Sequence, residues 1–107
     1  MLLWYETSVF LVQYMEMRFE FDPFKSVANR KKHGIDFAEA QKLWQSPVLS
    51  LPSKRIGEPR ELAIGKIGSK HWTAIIAQRG EAIRLISCRR SRDEEKELYQ
   101  KRIYNRQ

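Results

Sequence analysis

Polar and apolar residues alternate at Arg18-Phe19-Glu20-Phe21, which predicts a short strand. Asp22-Pro23 then predicts a helix start, with Asp as N-cap and Pro at the first helical position, where its missing N–H costs nothing. The helix should run to about His33. Phe24, Val27, Ala28 and Lys31 fall on one side of it, and Lys25, Asn29, Lys32 and His33 on another. Gly34 is placed to end it in a left-handed C-cap. Asp36 opens a second helix with Glu39 in capping-box position and Ile35 stapling to Ala40. Phe37, Ala40, Leu43 and Trp44 form its apolar stripe.

Pro47 to Pro52 encloses the strand-like Val48-Leu49-Ser50-Leu51, expected at a sheet edge. A polar loop through Lys54, Gly57 and Glu58 follows. Three strand-like runs come next, over 60–67, 71–78 and 82–88. Gly68-Ser69-Lys70 and Arg79-Gly80-Glu81 separate them at hairpin length. Ser91-Arg92-Asp93-Glu94 then reads as an S-x-x-E capping box, opening a terminal helix anchored by Leu98, Tyr99 and Ile103. The predicted order is β-α-α-β-β-β-β-α. It describes an α+β fold: an antiparallel sheet of four to five strands, two N-terminal helices packed on one face, and a C-terminal helix. Helices on one face would leave the other open to solvent or a ligand.

The 107 residues suit one domain, and a net charge of +7 with pI near 9.8 points to an anionic partner. A nucleic acid fits, as does an acidic protein; plain solubility is the blander explanation. Residues 18–107 hold 20 basic and 11 acidic groups, a net +9. Residues 1–17 contain no base and read as an N-terminal extension, with Met15 or Met17 the favoured start; 18–107 form the single domain. They lack the basic flank and cleavage site of a signal peptide, and no stretch reaches the ~20 apolar residues of a membrane span, so a cytoplasmic protein is expected. One cysteine, Cys88, excludes an internal disulfide, and with only two histidines no conventional zinc set remains. No phosphate-binding glycine loop, nucleophile elbow or Cys-x-x-Cys is present, and neither a metal nor another cofactor is expected.

Arginine is the residue type that calls for explanation. Arg60, Arg79, Arg84, Arg89 and Arg90 all fall on the strand-like runs or their ends. Strict alternation sets Arg84 beside Ile86 and Cys88 and puts Arg89 on the opposite face, unless the strand has ended or bulged. A planar, permanently charged guanidinium suits phosphate, whereas salt bridges to Glu58, Glu61 or Glu81 would explain the same residues structurally.

Several segments resemble the BrnT family of toxins from bacterial type II toxin–antitoxin pairs. They are Phe19-Glu20-Phe21-Asp22-Pro23-Phe24-Lys25, N-R-K-K-H-G at 29–34, and Asp36-Phe37-Ala38-Glu39-Ala40. Gly57-Glu58-Pro59-Arg60, Ala63-Ile64-Gly65, Gln78-Arg79-Gly80 and I-R-L-I-S-C-R-R at 83–90 follow, with Glu94 and Tyr99 behind. K-H-G and I-R-L-I-S-x-R are the most specific. Phe21 stands where the family often has Trp, Pro59 where it has Glu, and Cys88 where it has Ala.

The resemblance implies a RelE-like fold and an RNA-cleaving toxin that blocks translation until an antitoxin binds. That antitoxin would be a ribbon-helix-helix protein through which the complex reaches operator DNA. Carried over by position, the implied catalytic residues are Glu58, Arg60, Arg79, Arg84 and Arg89. The implied substrate-binding residues are Lys25, Lys32, His33, Arg90 and Tyr99. RNA supplies its own 2′-OH nucleophile, so the protein has only to move protons and stabilise the phosphorane. Glu58 is the expected base, with His71 or His33 behind it, and the acid stays unassigned. A non-catalytic nucleic-acid-binding module, or a basic partner for an acidic antitoxin segment, would use the same charges.

Overall fold

In a computed structural model, which describes residues 17–54, 57 and 59–104, the Arg18-Phe19-Glu20 alternation becomes β1 (Arg18–Glu20). The Asp22 carboxylate then accepts from Phe24 N at 2.8 Å and starts α1 (Pro23–His33). Gly34, at φ 83°, ends α1 in the left-handed conformation, its N–H returning to the Arg30 carbonyl. Asp36 caps α2 (Phe37–Ala40) through Glu39 N, and the chain tightens into a 3₁₀ turn over Gln41–Gln45. β2 (Leu49–Pro52), β3 (Glu61–Ile67), β4 (Lys70–Arg79) and β5 (Ala82–Arg90) follow, then α3 (Asp93–Tyr99), which continues as a π-helical segment over Gln100–Tyr104. The helical order thus departs from the expected one by the 3₁₀ and π segments.

The sheet order is β1-β5-β4-β3-β2. It is mixed, which corrects the antiparallel expectation: β2 to β5 form an antiparallel meander, but β1 lies parallel to β5, pairing Glu20 with Arg84. A parallel partner needs a long crossover, and everything from α1 to β4 supplies it.

One face of the sheet carries Ala63, Trp72, Ala74, Ile76, Leu85 and Cys88. These pack beneath Ile35, Phe37, Ala40, Leu43 and Trp44, with Phe19 edge-on to Trp44. The 3₁₀ turn lies so close that a Cβ on Gly65 would sit 2.7 Å from Leu43 Cδ2. The opposite face is covered at one end by α3, a second correction to the expectation of a wholly open face. There Thr73 is fully buried, bonding Ser91 at 2.8 Å and Glu95 at 3.0 Å. Tyr99 is buried with its hydroxyl donated to the Pro47 carbonyl.

Asn29 closes the β5 edge where β1 has ended. Its amide donates to the Cys88 and Ile35 carbonyls and accepts from Cys88 N, doing for one residue what a neighbouring strand would do. It is therefore buried structure rather than part of a basic stripe.

Candidate functional site

Strand register decides which arginines share a surface. Side chains alternate faces, so β4 residues opposite Trp72, Ala74 and Ile76 in direction are Thr73, Ile75, Ala77 and Arg79. On β5 the alternation is broken: Ile75 pairs with Ser87 but Ile76 with Leu85, leaving Ile86 as a bulge. The bulge turns Leu85 and Cys88 to the same core face. It therefore returns Arg84 and Arg89 together to the α3 side, not to opposite faces, and Arg84 does not share a face with Cys88.

Arg89 lies under α3. Its guanidinium makes a two-pronged ion pair with Glu95, at 2.8 and 2.9 Å, with side chains only 19% and 9% exposed. Burial is the largest influence on Glu95 and pushes its pKa up. Hydrogen bonds from Arg89, Arg92 N and Thr73 together outweigh it and hold the carboxyl at about 2. The Arg89 pKa is raised in turn, chiefly by its hydrogen bond to Glu95. Glu95, not Glu94, reaches back to the Arg92 N–H at 2.8 Å, so the capping box stands one residue later than expected. Ser91, the expected cap, is instead bonded to Thr73.

Beyond α3 the same face is differently furnished. Glu20 and Arg84 are register partners and pair at 3.2 Å. Arg84 faces Ala77 on β4, and one step further along the strands Arg79 faces Ala82. The Ser53 N–Arg60 O bond of 2.9 Å carries the β2–β3 ladder past its last pair. Continuing the β3–β4 register then sets Arg60 opposite Ala77. A row across three strands thus reads Glu20, Arg84, Ala77, extended by Arg60 just before β3, and the row beside it reads Arg18, Ala82, Arg79. With ~4.8 Å between strands, Arg84 and Arg60 stand roughly 10 Å apart over a methyl floor, within reach of one phosphate.

Glu20 and Arg18 were missed by sequence reasoning. Their alternation set them on one face, but nothing local showed which strand they would join. Glu58 lies outside the described residues. The implied substrate contacts do not share one surface. Lys25, Lys32 and His33 ride on α1, which packs against β5 at the edge that Asn29 closes. Arg90 points to the core side of the sheet, over the Trp72 ring at 5.5 Å and bonded to the His71 carbonyl. Tyr99 is spent on Pro47.

His71 stands eight residues along β4 from Arg79, about 26 Å away at 3.3 Å per residue. Its Nε2 is buried without a hydrogen-bond partner. Burial first, then Lys66, Lys96 and Arg90, lower its pKa. Cys88 is fully buried, and burial pushes its thiol up to about 12, against a small opposing pull from Arg89, so it is no nucleophile.

Among the described residues no cluster of three or more His, Cys, Asp or Glu is placed to hold a metal, and no helix is long and apolar enough to cross a membrane. No curated protein matches the chain. A family model described as "Ribonuclease toxin, BrnT, of type II toxin-antitoxin system" matches residues 21–95, a span that holds Arg60, Arg79, Arg84, Arg89 and Glu95. The chain belongs to the BrnT family of ribonuclease toxins, whose type II systems pair each toxin with a protein antitoxin.

Proposed function

We propose that this toxin is an endoribonuclease that cuts RNA without a metal on the part of the α3-side face that lies beyond α3, with Arg60, Arg79 and Arg84 gripping the scissile phosphate. The observation that carries the proposal is the register Glu20–Arg84–Ala77, with Arg79 one step away and Arg60 immediately before β3.

The 2′-oxygen attacks the adjacent phosphorus, the P–O5′ bond breaks, and a 2′,3′-cyclic phosphate and a 5′-hydroxyl remain. A carboxylate takes the 2′-OH proton. Glu20, 43% exposed and one bond from Arg84, is positioned for that; Glu58, two residues before Arg60, is the competing base. The departing 5′-oxygen takes its proton from water. Charge growing on the phosphorane oxygens strengthens the arginine contacts in the transition state, where one such donor is worth about 3 kcal/mol. Arg89, held by Glu95, positions α3 rather than touching RNA. Cleavage of this kind inhibits translation, and the antitoxin that restrains it is a ribbon-helix-helix protein acting in the cytoplasm.

The test is purified full chain with RNA in excess EDTA, with the new ends mapped. New 5′-hydroxyl and cyclic-phosphate ends support the proposal. RNA bound with a steep salt dependence but left intact would make the protein a binding module instead.

A further inference from the structure

Helix α1 is amphipathic the wrong way round for a core helix. Its buried side chains are polar: Ser26, which accepts from Phe37 N, and Asn29, which closes the β5 edge. Its apolar side chains face water. Phe24 is 86% exposed and Val27 57%. With Ala28 and Lys31, both also exposed, they occupy positions i, i+3, i+4 and i+7, one continuous stripe.

The stripe has a charge gradient. α1 contains no acidic residue, and its last turn carries Arg30, Lys31, Lys32 and His33. Arg30 is bridged to Asp36 at 3.5 Å, while Lys31 ends the stripe, Lys32 is exposed beside it and Lys25 flanks its apolar end. An apolar surface that ends in lysines matches a helix bearing its own apolar stripe followed by carboxylates. Buried aromatic anchors ringed by complementary charge are the usual energetic centre of such contacts.

We infer that the α1 stripe is the anchoring surface for an acidic amphipathic segment of the protein antitoxin. The inference uses the antitoxin that this family implies and does not depend on the RNA chemistry. α1 lies along the β5 edge that Asn29 closes, and its stripe shares no residue with the arginine row. Affinity and inhibition then reside on different residues: the antitoxin grips α1 and restrains the arginine face by what extends from that grip. Lys25 and Lys32, implied as RNA contacts, belong to the anchor.

The experiment uses full-length chain and the antitoxin polypeptide encoded beside its gene, with binding followed by calorimetry. Phe24→Asp with Val27→Asp should weaken binding by roughly 30-fold or more. Both positions are exposed, and Asp at position 24, in the first turn, suits the helix dipole, so the variant should fold. Its RNA cleavage should equal that of the parent, and co-expressed antitoxin should no longer rescue growth. Lys31→Glu should weaken binding less and flatten its salt dependence.

An unchanged dissociation constant in the double variant overturns the inference. So does self-association of the parent that the double variant abolishes, which would make the occupant a second copy. A third contrary result is slow thiol labelling of a Phe24→Cys chain without antitoxin, which would show the stripe covered from within; buried Cys88 gives no background. Absence of RNA cleavage by the parent would sink the function proposed above while leaving the binding comparison intact.

Discussion

Arg84 and Arg89 lie on one strand, on one face of the sheet, on either side of a bulge, and each meets a glutamate. Arg89 and Glu95 are enclosed by α3 and joined by two short bonds, with Thr73 and Arg92 N completing the carboxylate's shell. Arg84 and Glu20 share one bond of 3.2 Å, and both remain partly in water. The difference teaches that position on a basic face does not assign a role. A guanidinium fixed in a buried fork holds the fold. One held by a single, hydrated bond can exchange that partner for phosphate at little cost.

The largest effect should come from breaking the buried pair. Arg89→Ala leaves the Glu95 charge enclosed and unpaired, and we expect a loss of about 3–5 kcal/mol in urea unfolding. Cleavage per folded molecule should survive. Arg84→Ala should do the reverse. Cleavage should fall roughly 100-fold, the worth of one transition-state donor of about 3 kcal/mol, while the urea midpoint barely moves.

Acid sharpens the contrast. The Glu95 carboxyl is held at about 2, below its ordinary 4.5, so the stability it contributes is present above pH 4.5 and is lost as pH falls toward 2. That loss should approach roughly 3 kcal/mol and vanish in Glu95→Gln, followed by denaturation at stepped pH. On the core side, Gly65→Ala drives a methyl into Leu43 and should cost about 1–3 kcal/mol without touching cleavage, a control for stability alone. The smallest expected effect is the stability coupling of Glu20 with Arg84 in a double-mutant cycle, about 0–1 kcal/mol.

Local chemistry was legible in the residues. The Asp22 and Asp36 caps, the Gly34 stop and the hairpin turns at Gly68 and Gly80 formed where expected, because each depends only on neighbours in the chain. The stripe of Phe37, Ala40, Leu43 and Trp44 is buried as its spacing implied. Nonlocal pairing was not legible. No signal in Arg18-Phe19-Glu20 reveals a parallel partner 64 positions away, so the Glu20–Arg84 pair stayed hidden. The bulge at Ile86 reversed the face of everything after it, and only the paired register exposes such a slip. The capping box moved by one residue because Ser91 had a better partner in Thr73 than in its own helix.

The most direct test of the account compares RNA cleavage by the parent, Arg84→Ala and Arg89→Ala at a temperature where all three are folded, with rates divided by the folded fraction. The account predicts a roughly 100-fold loss for Arg84→Ala and near-parental rates for Arg89→Ala. Parental cleavage by Arg84→Ala, with the loss falling on Arg89→Ala instead, would contradict it.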